Sequence, residues 1–269
     1  MISRIPVTSA RSLAEAFALL AARPQGLRVL AGGTDWMAAL NARVGVERIG
    51  HVLDIWKVPE LRGVSLDDGG LRIGALTTYA ELMRSALVLE NLPALSAVSR
   101  EVGAVAIQNR GTLGGNICNA SPAGDTLPLL LAAEARLVVG GPRGERTLAI
   151  DEFFLAYRKT ALGADELLLR IDIPVLPGAR LRYRKVGTRK AQSVSRVLVA
   201  VRTGGGPLRI AAGCVGPIPL RCKHAEEAFA QGGDLRAALA RDIAPIDDLR
   251  ATAVYRGRVT ANVLLRLLE

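Results

Sequence analysis

The sequence predicts an α+β protein in two parts that meet near residue 175. Its 269 residues, half of them hydrophobic, suffice for one large core or for two to three smaller ones. Up to residue 173, segments with helix and strand periodicity are mixed along the chain. Beyond Pro174–Gly178 the pattern changes to antiparallel strands followed by helices. We therefore expect one domain over 1–175 and a smaller α+β domain over 176–269.

The first part opens with a helix, a strand, a glycine loop, a second helix and a second strand. Ser12–Glu15 matches a capping box that starts the first helix. Leu27–Ala31 is apolar enough for a buried strand that runs into Gly32-Gly33, and His51–Ile55 is the next strand. Asp67-Asp-Gly-Gly70 lies between two short apolar runs and predicts a hairpin.

The remaining elements follow from periodicity and from cap and turn residues. We expect Thr77 or Thr78 to cap a helix that continues to Ala86, and Asp125 to cap a helix over Thr126–Ala135. Further predicted elements are a helix at Leu92–Val102, strands at Arg136–Val139 and Leu167–Ile173, strands near 181–186, 194–202 and 208–215, and helices at Lys223–Ala230, Leu235–Arg241 and Asp247–Leu268.

The formal net charge of +10 raises the possibility of nucleic-acid binding. The basic residues are nevertheless scattered singly among apolar ones. The densest cluster, Arg180–Lys185, alternates basic and apolar residues as a half-buried strand does. A nucleic-acid footprint more often shows a basic stripe with interleaved aromatic residues. We therefore expect no nucleic-acid partner and keep this function as a rival hypothesis.

Three cysteines, Cys118, Cys214 and Cys222, are too far apart for a CxxC pair. Their odd number fits a reducing compartment, and they are too few to hold an iron–sulfur cluster in the usual way. With only two histidines besides, a zinc site is not expected. Neither a signal peptide nor an apolar run of about 18 residues is evident. We expect a cytoplasmic protein without a membrane span.

Two glycine-paired loops are the main functional signal. Gly32-Gly33-Thr34-Asp35 follows a predicted strand, and Arg110-Gly-Thr-Leu-Gly-Gly-Asn116 repeats the combination of glycines with a hydroxyl and an amide. Backbone amides next to glycines can converge on a phosphate, although either loop alone is equally compatible with a tight turn. Neither loop fits GxGxxG or a P-loop. Together they indicate an extended pyrophosphate ligand such as a dinucleotide.

No catalytic set is recognisable. Ser121 lacks a GxSxG frame, and neither histidine lies in a triad context. The carboxylate pairs Asp54 with Glu60 and Asp151 with Glu152 have the composition of exposed surface residues. This pattern is typical of a protein whose cofactor carries the reactivity. A self-contained enzyme would instead need its own acid or donor.

At these loops the chain resembles a known family. Leu30–Asp35, Asn109–Ile117 and Asn119–Asp125 resemble the FAD-binding subunit of the xanthine dehydrogenase/carbon monoxide dehydrogenase family. Supporting similarity lies at Phe153–Thr160, Glu166–Pro174, Arg182–Arg189 and Arg209–Arg221 and near Tyr255-Arg256. The resemblance implies an FAD-binding domain of the para-cresol methylhydroxylase (PCMH) type, with two subdomains. A CO dehydrogenase flavoprotein-like C-terminal domain would follow it.

The resemblance also implies a set of FAD-binding residues. The first loop and the Thr112–Asn116 loop would contact the pyrophosphate and ribityl portions, and Asp125 would hydrogen-bond the cofactor. Leu168 and Lys185 would lie near the flavin ring, where a lysine charge stabilises the anionic reduced flavin. The complete set is Val29, Leu30, Ala31, Gly32, Gly33, Thr34, Asp35, Trp36, Thr112, Gly114, Gly115, Asn116, Asp125, Leu168 and Lys185.

The family further implies partner subunits. A large subunit would carry the molybdopterin cofactor, and a small subunit would carry two [2Fe-2S] clusters that pass electrons to this chain. Its FAD would deliver them to an external acceptor, in a heterotrimer or a dimer of heterotrimers. The sequence departs from the family pattern at Trp36, at Gln108 and at Tyr79, which replaces a frequent histidine. These departures concern the local geometry around the cofactor and the electron acceptor. A self-contained flavin reductase or oxidase of the same fold is the alternative, and it would need its own acid or donor.

Overall fold

The structure is a computed structural model that describes residues 5–22, 24–42, 49–67, 69–189 and 192–269. The predicted α+β class is confirmed: the described elements form three principal sheets, one two-stranded ribbon and the helices that cover them. The N-terminal sheet is parallel, whereas the other two are antiparallel.

The first sheet has three parallel strands in the order β1-β3-β2. Its elements are β1 (Val7–Ser9), α1 (Leu13–Ala22), β2 (Leu27–Leu30), α2 (Thr34–Asn41) and β3 (His51–Asp54). The sequence did not predict β1. The prediction that β2 is buried is wrong, because β3 holds the centre and β2 lies at the edge, where Val29 is 39% exposed. The glycine loop therefore leaves an edge strand.

The second sheet has the order β4-β5-β10-β6-β7 and is antiparallel throughout. Its strands are β4 (Val64–Asp67), β5 (Gly70–Gly74), β6 (Arg136–Gly141), β7 (Gly144–Ala149) and β10 (Leu167–Ile173). The predicted hairpin is confirmed by the pairing of β4 with β5, although Asp68 of its turn lies outside the described residues. The sequence did not predict β7, whose residues are mostly exposed.

Short helices cover this sheet. They are α3 (Tyr79–Arg84), α4 (Ala86–Asn91), α5 (Pro93–Ser99), α6 (Val105–Gln108), α7 (Leu113–Asn119), α8 (Leu127–Ala132) and α9 (Ile150–Phe153), with the ribbon β8 (Phe154–Ala156) and β9 (Lys159–Thr160). Thr78 caps α3 as predicted and forms a capping box with Glu81. That helix ends before Ser85, because the Ser85 side chain caps α4 instead.

The third sheet runs in sequence order, β11-β12-β13-β14. Its elements are β11 (Arg180–Val186), β12 (Val197–Thr203), β13 (Arg209–Gly213), β14 (Leu220–Arg221), α10 (Lys223–Ala230), α11 (Leu235–Asp242) and α12 (Ala253–Leu268). The last helix begins at Ala253, not at Asp247 as predicted. The Asp248 carboxylate accepts hydrogen bonds from the amides of Arg250 and Ala251, and Thr252 caps the helix.

One hydrophobic core joins the second and third sheets. Leu137 and Ile171 from the second sheet share it with Leu129 of α8 and with Ala200 and Ala211 of the third sheet. Lys185 of β11 is thereby held between Glu101, which follows α5, and Asp125, which precedes α8. Elements distant in sequence thus meet at the predicted flavin site.

Candidate functional site

The two glycine loops are in direct contact. A Cβ atom on Gly32 would overlap the carbonyl oxygen of Arg110 and lie 2.7 Å from its carbonyl carbon. The Arg110 Nε donates to the Gly32 carbonyl at 3.4 Å, and Asn119 Nδ2 donates to Asp35 Oδ1 at 3.0 Å. Only glycine permits this approach of one backbone to the other. The structure therefore brings the two predicted loops together.

The first loop presents unused hydrogen-bond donors at a helix N-terminus. Gly33 has a left-handed conformation, with φ of 78°, and no side chain caps α2. Within the described parts of the chain, the amides of Gly32 and Gly33 and the hydroxyl of Thr34 donate to no protein acceptor. A helix N-terminus with free amides favours a phosphate.

In the second loop the glycine amides donate to protein acceptors. The expectation that successive amides of this loop also point at a ligand is therefore wrong. The Gly114 amide donates to the Ala75 carbonyl at 2.9 Å, and a Cβ on Gly114 would lie 2.6 Å from the Ala75 Cβ. The Gly115 amide donates to Thr112 Oγ1 at 3.0 Å, which caps α7. Asn116 accepts from Thr126 through Oδ1, at 2.7 Å, and its Nδ2 has no partner among the described residues.

Asp125 does not cap a helix, contrary to the prediction. The N-cap of α8 is Thr126, and it makes no side-chain cap hydrogen bond. Asp125 Oδ2 accepts from Lys185 Nζ at 2.7 Å, and its Oδ1 accepts from Ser195 Oγ at 2.7 Å. Its burial raises the pKa of Asp125, while Lys185 and Ser195 act to lower it. Lys185 therefore offsets part of the cost of burying this carboxylate.

Lys185 is enclosed by its partners. Its side chain is 5% exposed, and its Nζ also donates to the Glu101 carbonyl at 2.9 Å. The Glu101 carboxylate in turn accepts from the Tyr183 hydroxyl at 2.8 Å, and burial raises the pKa of Tyr183. Sequence reasoning missed Ser195, Glu101 and Tyr183. Ser195 lies 70 positions from Asp125, so no local motif could have indicated it.

The other predicted residues line or support the loops. Leu30, Ala31 and Trp36 are half-buried next to Gly32 and Gly33. Leu168 is 4% exposed and lies in the core cluster that also contains Leu113 of α7. Leu168 is therefore part of the main core and is not open to solvent.

Trp56, just after β3, was not predicted and secures the loop contact. The guanidinium of Arg110 lies 3.7 Å from the centre of the Trp56 ring, and that of Arg62 lies 4.3 Å from it. Arg62 also donates to the Trp56 carbonyl at 2.9 Å. The tryptophan therefore fixes Arg110, which holds the first loop through Gly32.

Two cavities lie away from this site. The larger, about 650 Å³, is lined by residues from the ends of the second sheet together with Glu134 and Arg221. The smaller, about 250 Å³, lies beside Pro174 and Arg202. No predicted site residue lines either of them. The candidate site is thus defined by contacts and free donors.

The described residues contain no group of three side chains suited to a metal ion. Within the same ranges, no helix is both long and apolar enough to cross a membrane. All three cysteines are free thiols, and burial raises the pKa of Cys118 to about 12.

The fold is α+β, and the contact of the two glycine loops beside unused amide and hydroxyl donors suits an extended phosphate-bearing cofactor. The family described as "FAD binding domain in molybdopterin dehydrogenase" matches residues 3–176. The chain belongs to this family of FAD-binding oxidoreductase subunits, and the resemblance seen in the loops is confirmed.

Relatives extend the similarity over nearly the whole chain. The xanthine dehydrogenase FAD-binding subunit of Escherichia coli O157:H7 is 35% identical over 263 residues, covering 92% of this chain and 89% of the relative. The carbon monoxide dehydrogenase medium chain of Hydrogenophaga pseudoflava is 30% identical and covers 96% and 94%. The solved carbon monoxide dehydrogenase of that organism, which lacks the Mo-pyranopterin moiety, superposes with a TM-score of 0.90 at 30% identity over 98% and 95%.

Replacing Arg110 by methionine is expected to weaken FAD binding about 5- to 30-fold, because a cation–π contact contributes about 1–2 kcal/mol to holding the loops together. Titration of apoprotein with FAD, followed by flavin fluorescence, measures the effect. Arg241→Met, on the exposed surface of α11, is the control and should bind as the wild type does. Equal FAD affinities for Arg110→Met and the control would show that FAD binding does not require the contacts of Arg110 with Trp56 and Gly32.

Proposed function

We propose that this chain is the electron-transfer subunit of a heteromeric molybdenum hydroxylase and holds its FAD between the two glycine loops. The observation that carries the proposal is the contact of Gly32 with Arg110 beside the uncapped N-terminus of α2. The free donors of the first loop suit phosphate oxygens, and the residues present therefore fit a dinucleotide.

The proposed binding residues fall into two groups. Val29–Trp36 and Thr112–Asn116 would surround the pyrophosphate and ribityl parts, with the Thr34 hydroxyl and Asn116 Nδ2 as side-chain donors. Asp125, Leu168 and Lys185 would lie toward the flavin ring. The first group would then set affinity, and the second would set the environment of the redox-active ring.

When bound, FAD supplies the one- and two-electron redox chemistry that amino-acid side chains lack. Lys185 contributes a positive charge, part of which Asp125 at 2.7 Å offsets. An ammonium group has three N–H donors, and Asp125 and the Glu101 carbonyl use two of them. The third remains for a flavin oxygen, so Lys185 would orient the ring as well as favour its anionic form.

The relatives guide the proposed assembly. Several are named as medium chains or FAD-binding subunits of dehydrogenases, and one similar solved structure is named a Cu,Mo-CO dehydrogenase. We propose a large molybdopterin-binding partner and a small [2Fe-2S] partner, in a heterotrimer or its dimer.

The proposed domains are 1–175 and 176–269. The free thiols support a cytoplasmic location.

The first experiment is to purify the chain alone and with its partner subunits and to record absorbance spectra. We expect the chain alone to show the bands of oxidised flavin and to release intact, non-covalent FAD on denaturation. Iron–sulfur absorbance should appear only with the small partner, and substrate should bleach the flavin only in the complete assembly. Protein that stays colourless after incubation with FAD would refute the proposal. Bleaching by substrate with the isolated chain would favour a self-contained reductase.

A further inference from the structure

Tyr79, the first residue of α3, forms part of the wall of the second glycine loop. Its amide donates to the Gly111 carbonyl at 3.2 Å. A Cβ on Gly111 would lie 2.8 Å from Tyr79 Cε2, so the ring lies directly against that glycine. The preceding residue, Thr78, forms a β-bridge with Thr112. The Leu113 amide donates to the Thr77 carbonyl at 3.0 Å on the other side of this bridge, so backbone hydrogen bonds on both sides of Thr112 hold Tyr79 against the loop.

The Tyr79 hydroxyl has no hydrogen-bond partner among the described residues, although the residue is only 3% exposed. Ser96 Oγ is fully enclosed and also lacks a partner, whereas the Tyr79 hydroxyl oxygen keeps some contact with solvent. Buried tyrosine hydroxyls usually find a partner. An unused donor at the surface of a binding site indicates that a ligand supplies the acceptor.

The surroundings keep this hydroxyl protonated. Burial raises the pKa of Tyr79 well above its ordinary value, and the charges of Asp125 and Asp35 raise it further. Asp35 belongs to the first loop and Asp125 to the proposed flavin end, so the hydroxyl lies within the electrostatic reach of both ends of the proposed site. At such a place a neutral O–H can donate to an anion that the two carboxylates would otherwise repel.

We propose that the Tyr79 hydroxyl donates a hydrogen bond to a pyrophosphate oxygen of FAD and positions the cofactor against the second loop. This inference rests on the proposed function. Phosphate oxygens only accept hydrogen bonds and therefore match a group that remains a donor. The Arg110 guanidinium of the second loop already stacks on Trp56 and donates to Gly32, so the Tyr79 hydroxyl supplies a donor beside that loop that no protein group uses.

The test is Tyr79→Phe in the full chain, which keeps the ring against Gly111 and removes only the hydroxyl. We expect the dissociation constant for FAD, measured by flavin fluorescence on apoprotein, to rise about 10- to 100-fold, as for the loss of a hydrogen bond to a charged group. Tyr157→Phe, at a tyrosine that is 62% exposed, is the matched control and should bind as the wild type does. An FAD affinity of Tyr79→Phe within twofold of the wild type overturns the inference, whether or not the melting temperature of the apoprotein changes.

ADP, which carries the pyrophosphate without the flavin, is the second probe. The affinity for ADP is measured by its competition with FAD. Tyr79→Phe should lower this affinity by the same factor as the affinity for FAD. A loss of FAD affinity with unchanged ADP affinity would place the hydroxyl at the ribityl or flavin end and overturn the assignment to the pyrophosphate. Wild-type apoprotein that binds neither FAD nor ADP would instead refute the proposed function, so the two failures are distinguishable.

Discussion

Replacing Gly32 by alanine is expected to abolish stable FAD binding, with an affinity loss of at least about 100-fold. The added Cβ would overlap the Arg110 carbonyl and lie 3.3 Å from the Gly111 Cα, so the backbones of the two loops must separate. Overpacking against backbone also costs about 1–3 kcal/mol of folding free energy. Flavin content after purification and FAD titration of the apoprotein measure the binding loss, and urea unfolding measures the stability loss.

The matched control is Gly257→Ala in α12, where a Cβ would have no atom within 4 Å. Alanine there should raise the free energy of unfolding by about 0.5–1 kcal/mol and leave the flavin content unchanged. If Gly32→Ala retained a full complement of FAD, the close contact of the loops would not be required for binding. The proposed position of the cofactor would then be wrong.

Lys185→Met is expected to lower the free energy of unfolding by about 3 kcal/mol at pH 8, because it leaves the buried Asp125 carboxylate without its cation. The loss should depend on pH. Asp125 already has a raised pKa, and removal of Lys185 raises it further. The pKa of Asp125 is 3.8 in the unfolded chain and higher in the folded protein. As the pH rises from 3.8 through the pKa of the folded state, the free energy of unfolding therefore decreases. The difference in the free energy of unfolding between the wild type and Lys185→Met should therefore be smaller at pH 5 than at pH 8.

Urea unfolding of the apoprotein at both pH values measures this effect. Lys223→Met is the control: its side chain is 67% exposed and pairs with Asp151 at 3.1 Å, and such surface pairs contribute less than about 1 kcal/mol. The double variant Asp125→Asn/Lys185→Met should recover much of the loss, since no buried charge remains. A deficit for Lys185→Met that is the same at pH 5 and pH 8 would show that lost packing, not the Asp125 charge, causes it.

Local patterns in the sequence predicted the elements and the loops well. The hairpin around Asp67–Gly70, the helix cap at Thr78 and the alternation in Arg180–Lys185 each depend on neighbouring residues. The strand pairing, the cap and the half-buried strand were found as expected. The prediction that β2 is buried failed for a different reason. Its apolar residues resemble those of a central strand, but the order of strands in the sheet, which no local pattern contains, places β2 at the edge.

The site was predictable only where its residues are adjacent in the chain. The glycine pairs indicated that the backbone approaches another group closely. They did not indicate which group, namely Ala75 for Gly114 and the Arg110 carbonyl for Gly32. Asp125 has the sequence context of a helix cap, yet its acceptors are used by Lys185 and Ser195, which are 60 and 70 positions away. Long-range partners of this kind follow from tertiary packing, and a periodicity argument does not reach them.

The hydrogen bonds of Asp125 have a consequence for how the protein is made on the ribosome. A nascent chain that has emerged as far as residue 176, the limit of the family match, contains both glycine loops but neither Lys185 nor Ser195. Its Asp125 carboxylate would have to stay solvated, and the wall formed by β11 would be missing. We therefore expect cofactor loading to be a late event in biosynthesis, because the proposed flavin end of the site closes only after the third sheet has left the exit tunnel and folded back onto α8.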